Sequence, residues 1–554
     1  MREGGFLRGV LILTLAGLAA RALGAVYRVF LYPLLGPEGI GLFQMAYPVY
    51  STLLVLSTSG ANVALSRMVS VRLAAGQAGQ VPAVFRAVLG LLALTGALLT
   101  LGLWWSAPWL AAVVYREPRA TGPLQAVAPA VVAVVVMSAY RGLFQGYQKM
   151  YPPAASQIVE QVVRVGTMFL LGWYLLPLGV AAAAAGAASG AFTGGLAGLV
   201  YLVWCTRALA QEGGTGGPPG PPAGGGGRIQ GPPAGGRVRG PGPGTPVRSG
   251  VLPVLREFLG QAVPVSMTGA MFTLFTLADV VVPARLQGAG FSAEAATAWY
   301  GRLTGGAMPL INLPSLFSAS LQLALVPAVA ACLAAGDAPG VRGHAGTGLR
   351  LTVAFTAAAA VGLAVLAEPL CLTLYGDPLV AVGLRPLAAG VVFLGLQQAT
   401  AGILQGLGEV TLPLWHLGVA ALLKLVLTWY LAGYSWGVVG AAWATVAGFA
   451  LAGLLGLAAV VHRLGSVASL ADLVLRPAAG LAVMGLCLPA LYRWGVEVGG
   501  SPWGGTLLAV VGGAFLYLAA LLVVGGFRQA DLEMLPARAG FLKRWLKGSG
   551  LLRP

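Results

Sequence analysis

Leu507-Leu-Ala-Val-Val-Gly-Gly-Ala-Phe-Leu-Tyr-Leu-Ala-Ala-Leu-Leu-Val-Val524 carries no charge over 18 residues. As an α-helix it is roughly 27 Å long at about 1.5 Å per residue, close to the roughly 30 Å hydrocarbon layer of a bilayer. Ala126 to Met137 is a second unbroken apolar run, and others recur along almost the whole chain. The 554 residues are 58% hydrophobic and only 9% charged, with a mean hydropathy of +0.84. An ordinary soluble domain is about 25% charged, so a water-soluble core cannot absorb this sequence. Within lipid the backbone must bond to itself, which makes helices the default. An outer-membrane barrel would show short alternating segments instead of long apolar runs, and is excluded.

The reading is an all-α integral membrane protein of about 14 transmembrane helices, starting near residues 7, 41, 84, 122, 156, 180, 254, 301, 349, 383, 412, 437, 473 and 503. They divide into an N-terminal six-helix bundle (1–210), a cytoplasmic linker (211–250), a C-terminal six-helix bundle (251–465), helices 13 and 14 (466–526) and a basic cytoplasmic tail (527–554). The linker is almost wholly Gly, Pro, Ala and Arg, too poor in apolar surface to fold. With both termini in the cytoplasm, one side of the membrane collects Arg67, Arg72, Arg86, Arg141, Lys149, Arg207, Arg342, Arg350, Arg463, Arg476 and the basic termini. The other collects only Arg116, Arg119, Arg285, Arg302, Arg385 and Arg493. This is the positive-inside pattern of a cytoplasmic membrane protein. It also accounts for the net charge of +17 without a nucleic-acid partner, because the cations are spread over loops on one membrane face. The tail mixes Phe541, Trp545 and Leu546 with Lys543, Arg544 and Lys547, which suits anionic membrane lipids as well as it suits a solvated basic terminus.

Gly142-Leu-Phe-Gln-Gly146 returns as Gly402-Ile-Leu-Gln-Gly406, displaced by 260 residues. The same displacement of 260 carries Pro153 onto Pro413 and Arg164 onto Lys424. Both copies end the fourth helix of their half, so the halves read as parallel repeats that rock about a central site.

Ionisable groups within the membrane are costly and therefore candidates for function. Arg21 and Arg28 share a face of helix one, two turns apart, beside Thr14, Gly17 and Gly24. A guanidinium holds phosphate by a bidentate fork, so the stripe suits a lipid diphosphate; snorkelling to the interface or pairing with carboxylates is the structural alternative. Glu160 and Arg164 stand four residues apart, the orientation of a local ion pair. Lys424 occupies the Arg164 position in the second half, but Ala420 replaces Glu160 and leaves it without a carboxylate on its own helix. Asp279 either binds a coupling ion, Na+ or H+, or neutralises an arginine of helix one. Gln145 and Gln405, the central glutamines of the repeated pentapeptide, can bond sugar hydroxyls or neighbouring helices. Gly186, Gly190, Gly194 and Gly198 form a small-residue stripe for helix packing.

No enzyme constellation is present. His344, His416 and His462 are scattered, Cys205, Cys332, Cys371 and Cys487 have neither metal-ligand nor disulfide spacing, and no nucleophile elbow or phosphate loop occurs. The sequence implies no cofactor.

Arg141-Gly-Leu-Phe-Gln-Gly-Tyr-Gln-Lys-Met-Tyr-Pro-Pro-Ala-Ala-Ser-Gln-Ile-Val-Glu-Gln-Val-Val-Arg164 resembles the helix four-to-five segment of the stage V sporulation protein B family. The opening Gly9-Val-Leu-Ile-Leu-Thr-Leu-Ala-Gly-Leu18, then Arg21, Tyr27-Arg28 and Gly36-Pro-Glu-Gly-Ile-Gly-Leu-Phe-Gln44, is similar to the same family. These polysaccharide exporters share a superfamily with the multidrug and toxic compound extrusion transporters, the O-antigen flippases and the lipid II flippases. The resemblance implies a two-lobed, fourteen-helix flippase that moves an undecaprenyl-diphosphate-linked saccharide through a cavity opening alternately to each side; cell-wall synthases are candidate partners. By the same resemblance Arg21 and Arg28 match basic residues of the first helix that line that cavity. The chain departs from the family in its long Gly/Pro linker and in lacking an arginine within helix two. A multidrug or cation antiporter of the same fold and a non-transporting scaffold for cell-wall synthesis are the competing readings; four intramembrane cations against two carboxylates favour an anionic substrate.

Overall fold

A computed structural model describes residues 3–212 and 250–524 except 434, 435, 468 and 470, with the backbone alone at 3–23, 25, 26, 28, 208–212, 264 and 268. The linker at 213–249 and the tail from 525 lie outside the described residues, as do the side chains of Arg21 and Arg28. Among the described residues every regular element is helical.

In chain order the helices are α1 (Glu3–Ala74), α2 (Val81–Trp109), α3 (Thr121–Gly146), α4 (Tyr151–Leu175), α5 (Val180–Glu212), α6 (Val251–Leu277), α7 (Val282–Gly288), α8 (Ala293–Gly301), α9 (Met308–Ala334), α10 (Ala338–Val365), α11 (Ala367–Tyr375), α12 (Val380–Gly406), α13 (Leu412–Leu431), α14 (Gly437–Leu464), α15 (Arg476–Gly499) and α16 (Pro502–Val523). Among the described residues 13 segments are long and apolar enough to span a bilayer. The expected first and second helices are the two arms of α1, which bends at Gly36 with φ 66, a left-handed backbone that a residue without Cβ adopts freely. The first arm lacks described side chains over most of its length, and the spans counted start at Val29. Leu486, Phe515, Trp105 and Trp173 are exposed, as residues on a lipid-facing surface must be.

The chain forms two compact units that do not follow sequence order. The first comprises the chain through Gly24, Ala46–Leu110 and Ala120–Thr273. Val134, Met137, Phe144 and Leu202 form a core there, joining α3 to α5 against Leu54. The glycine stripe of α5 brings it onto α4: a Cβ at Gly190 would meet the Arg164 carbonyl and Met168, and one at Gly194 would meet the Glu160 carbonyl. Where α1 crosses α6, the Gly60 amide donates to Ser266 Oγ at 3.1 Å, and Arg72 pairs with Glu257 at 2.9 Å.

The second unit comprises Ala25–Met45, Ala111–Arg119 and the described residues from Leu274 onward. Leu325, Leu349, Leu396, Ile403 and Val460 form one core. The two terminal helices add Met484, Leu488, Ala509, Tyr517 and Leu521 to a second core, packed on Ala354 and Val361 of α10.

The duplication read from the pentapeptides is present in the packing of each half. A Cβ on Gly142 would meet Asn62, and one on Gly402 would meet Gln322; Gly146 faces Ser66 and Val69, and Gly406 faces Val326 and Val329. Each of these correspondences is a displacement of 260 residues. Left-handed residues repeat at the same displacement of 260: Gly76 with Gly336, Arg116 with Gly376, and Gln148 with Gly408. Helices α4 and α13 also begin alike, with Pro153 and Pro413 in the first turn, where a missing N–H costs nothing.

Candidate functional site

Among the described residues charged side chains pair at several places, and three sets of them bear on the site. In the first unit, Glu160 of α4 accepts from Arg164 Nη2 at 2.5 Å, one turn along the same helix, as the spacing predicted. It also accepts from Arg141 Nη2 at 2.9 Å. Arg141, counted among the cytoplasmic cations, lies half-buried near the end of α3 and reaches across to α4, where its Nε donates to Ser156 Oγ at 3.1 Å. Among the described residues two guanidiniums therefore contact one carboxylate. Gln145 lies half-buried at the end of α3 in this unit.

In the second unit, Lys424 Nζ of α13 donates to Asp279 Oδ2 at 2.8 Å. The lysine side chain is fully buried and the aspartate 5% exposed. Asp279 was expected to bind a coupling ion or neutralise an arginine of helix one; its partner is Lys424, brought to it by packing between elements 145 residues apart in sequence. The ammonium also lies 4.5 Å from the Phe275 ring centre, and Phe275 stacks on Phe449 at 4.5 Å. The negative face of the ring adds a weak attraction for the cation where water is excluded. A Cβ on Gly448 would collide with Phe275 and press on Lys424, so α14 closes over the pair. Gln405 lies half-buried at the end of α12, the position equivalent to Gln145.

The third group, also in the second unit, was not anticipated. Glu117 accepts from Arg119 Nε and Nη2, both at 2.8 Å, and from Thr297 Oγ1 at 2.9 Å. Arg119 Nη1 continues to Glu38 Oε1 at 2.6 Å. Burial opposes the charge on Glu117, but the hydrogen bonds from Arg119 and Thr297 outweigh it and hold the carboxyl below its usual range. Asp377 accepts from Arg302 Nε at 2.8 Å and from Tyr32 Oη at 3.0 Å. Glu117 and Asp377 are 260 residues apart. The repeat displacement was the signal that could have found them, since each follows the left-handed residue of its loop, Arg116 or Gly376.

Residues 6–332 match the family described as polysaccharide biosynthesis protein, and residues 264–430 match the MatE family. The chain belongs to the polysaccharide biosynthesis protein family. This family member is 29% identical to stage V sporulation protein B of Bacillus subtilis (strain 168) over 540 residues, covering 96% of this chain and 98% of the relative. It is 32% identical to the lipid II flippase MurJ of the same organism over 216 residues, 36% of this chain and 39% of that protein. A solved structure of lipid II flippase MurJ, in an inward closed conformation, superposes with a TM-score of 0.65 at 14% identity, covering 92% of this chain and 98% of the other. The fold is thus that of the MatE-like membrane transporters, all-helical and multi-pass.

Proposed function

We propose that this family member is a flippase that moves a lipid-diphosphate-linked saccharide, a peptidoglycan or polysaccharide precursor, across the cytoplasmic membrane by alternating access. The observation that carries the reading is membership of a polysaccharide biosynthesis family through residues 6–332, in a chain that aligns with a lipid II flippase over 216 residues. The cluster of Arg141, Glu160 and Arg164 supports it, because guanidiniums are suited to holding an anionic headgroup. Arg21 and Arg28 are the residues to which we assign the diphosphate. In this reading both termini are cytoplasmic, the loops bearing Glu117 and Asp377 lie on the outer side, and cell-wall synthases receive the product.

The test is reconstitution into liposomes with a fluorescent lipid-linked precursor, comparing the native chain with Arg21→Ala and Arg28→Ala. Native vesicles translocate the lipid, and each variant slows it at least about tenfold, the loss of one charge-assisted phosphate contact. Unimpaired transport by both variants refutes the arginine assignment, and no transport by native protein refutes the flippase reading. A second reading, a drug or cation antiporter, is favoured by the MatE match at residues 264–430. Export of a cationic dye against a Na+ or H+ gradient, with no lipid transport, selects it.

A further inference from the structure

Thr297 and Pro37 are separated by the repeat displacement of 260 residues, and so are Gly301 and Gly41, and Thr304 and Gln44. In the second unit these positions face each other. A Cβ on Gly41 would collide with the Thr297 carbonyl, one on Gly301 would collide with the Pro37 carbonyl, and Gln44 Nε2 donates to the Thr304 carbonyl at 2.9 Å. Residues of α1 and of the α8–α9 segment thus cross at a pair of equivalent glycines, the contact expected of a local two-fold axis.

Two carboxylates flank this crossing in equivalent loops. Glu117, from the first repeat, accepts from Thr297 of the second; Asp377, from the second repeat, accepts from Tyr32 of the first. The loops are also built alike. Arg116 and Gly376 hold φ of 52 and 70, and the amides two residues beyond each acid, at Arg119 and Leu379, turn back to donate to it at 3.4 and 3.0 Å. Each acid is anchored in its own repeat by a guanidinium, Arg119 for Glu117 and Arg302 for Asp377. In each acid one oxygen, Glu117 Oε2 or Asp377 Oδ2, accepts both from the home guanidinium and from a single hydroxyl of the opposite repeat.

We propose that Glu117 and Asp377 are a two-fold pair of latches, which hold Ala25–Met45 and Ala111–Arg119 against the second repeat and release them together when the outer side opens. Beside the Gln44–Thr304 bond and the donation from Gln287 Nε2 to the Arg116 carbonyl at 3.0 Å, the hydroxyl–carboxylate bonds are the links between the repeats that end on a charge. A single hydrogen bond to a carboxylate biases an equilibrium by about 10- to 100-fold, small enough for two to part within a transport cycle. The proposal rests on the alternating-access reading above.

The experiment measures one distance by pulsed electron–electron resonance, in full-length protein whose Cys205, Cys332 and Cys487 are replaced and whose buried Cys371 is retained. Burial and the nearby Asp377 push the Cys371 thiol up to about 12, which keeps it from the label. Labels at Ala112 and Glu294 report across the crossing, and a control pair at Glu294 and Leu372 lies within the second repeat. The native chain gives one short distance. Thr297→Val with Tyr32→Phe removes the two hydroxyl–carboxylate bonds, leaves the Gln44–Thr304 bond in place, and raises the ratio of long to short distances at least about tenfold, and Glu117→Ala with Asp377→Ala raises it as much or more. Thr297→Ser, which keeps the hydroxyl, retains the native distribution. A native distribution in either double variant overturns the proposal, as does an equal change in the control pair, which would mean general loosening. No substrate enters the measurement, so intact latches in a chain that moves no lipid would refute the substrate reading alone.

Discussion

Replacing Lys424 by Met leaves Asp279 charged, buried and alone, and the cost can be worked from the geometry. At 2.8 Å the pair attracts by about 6 kcal/mol at an effective dielectric of about 20. Desolvation of the two ions costs several kcal/mol each, so the intact pair contributes roughly nothing net. Asp279 Oδ1 has no hydrogen-bond partner among the described residues, which removes one source of compensation. Lys424→Met is therefore expected to cost about 3–5 kcal/mol, and Asp279→Leu, which strands the ammonium, a similar amount. The double variant Asp279→Leu with Lys424→Met strands neither charge and should return to within about 1–2 kcal/mol of the native chain. Unfolding in mixed micelles, followed by helix ellipticity across the four corners of the cycle, gives the coupling directly. Single variants costing under about 1 kcal/mol, or a double variant costing the sum of the singles, would refute the picture of a water-free pair.

Glu160→Gln removes the carboxylate that both Arg141 and Arg164 contact and should destabilise the first unit by about 3–5 kcal/mol; a loss no larger than that of an exposed Glu→Gln control argues against burial of the cluster. Gly41→Val and Gly301→Val each place a branched side chain against a backbone carbonyl, so both should lower the melting temperature in detergent, whereas Gly260→Val, with open space around it, should not through this mechanism. The carboxyl of Glu117 is held below its unfolded value, so its contribution is fully present above about pH 4.3 and is lost as pH falls through the lower folded value. The difference in melting temperature between native protein and Glu117→Gln should accordingly be constant from about pH 7 to 5 and shrink below about pH 4; growth of that difference on acidification contradicts the sign.

Features that depend on neighbours along the chain were legible in the sequence. Apolar length alone gives Pro502–Val523 as a span, because lipid leaves the backbone no partner but its own helix. The pairing of Glu160 with Arg164 follows from helical spacing, and the repeat follows from two pentapeptides 260 residues apart. The glycine stripe of α5 likewise announces a close helix contact, although not that the contact is with α4.

What the tertiary structure decided is which distant group completes each charge. Lys424 and Asp279 are 145 residues apart, and Glu117 and Thr297 are 180 apart. Helical periodicity tells which face a residue occupies but not which element faces it. Arg141 shows the same limit: its position near a helix end was legible, but not that α4 presents Glu160 to it. The grouping of Ala25–Met45 and Ala111–Arg119 with the second half was equally hidden. It depends on a crossing of two glycines where the absence of side chains, visible in the sequence only as small residues, lets two backbones approach. Membrane insertion is a sum over local apolar length, whereas the charges that such a membrane admits are settled pair by pair in three dimensions.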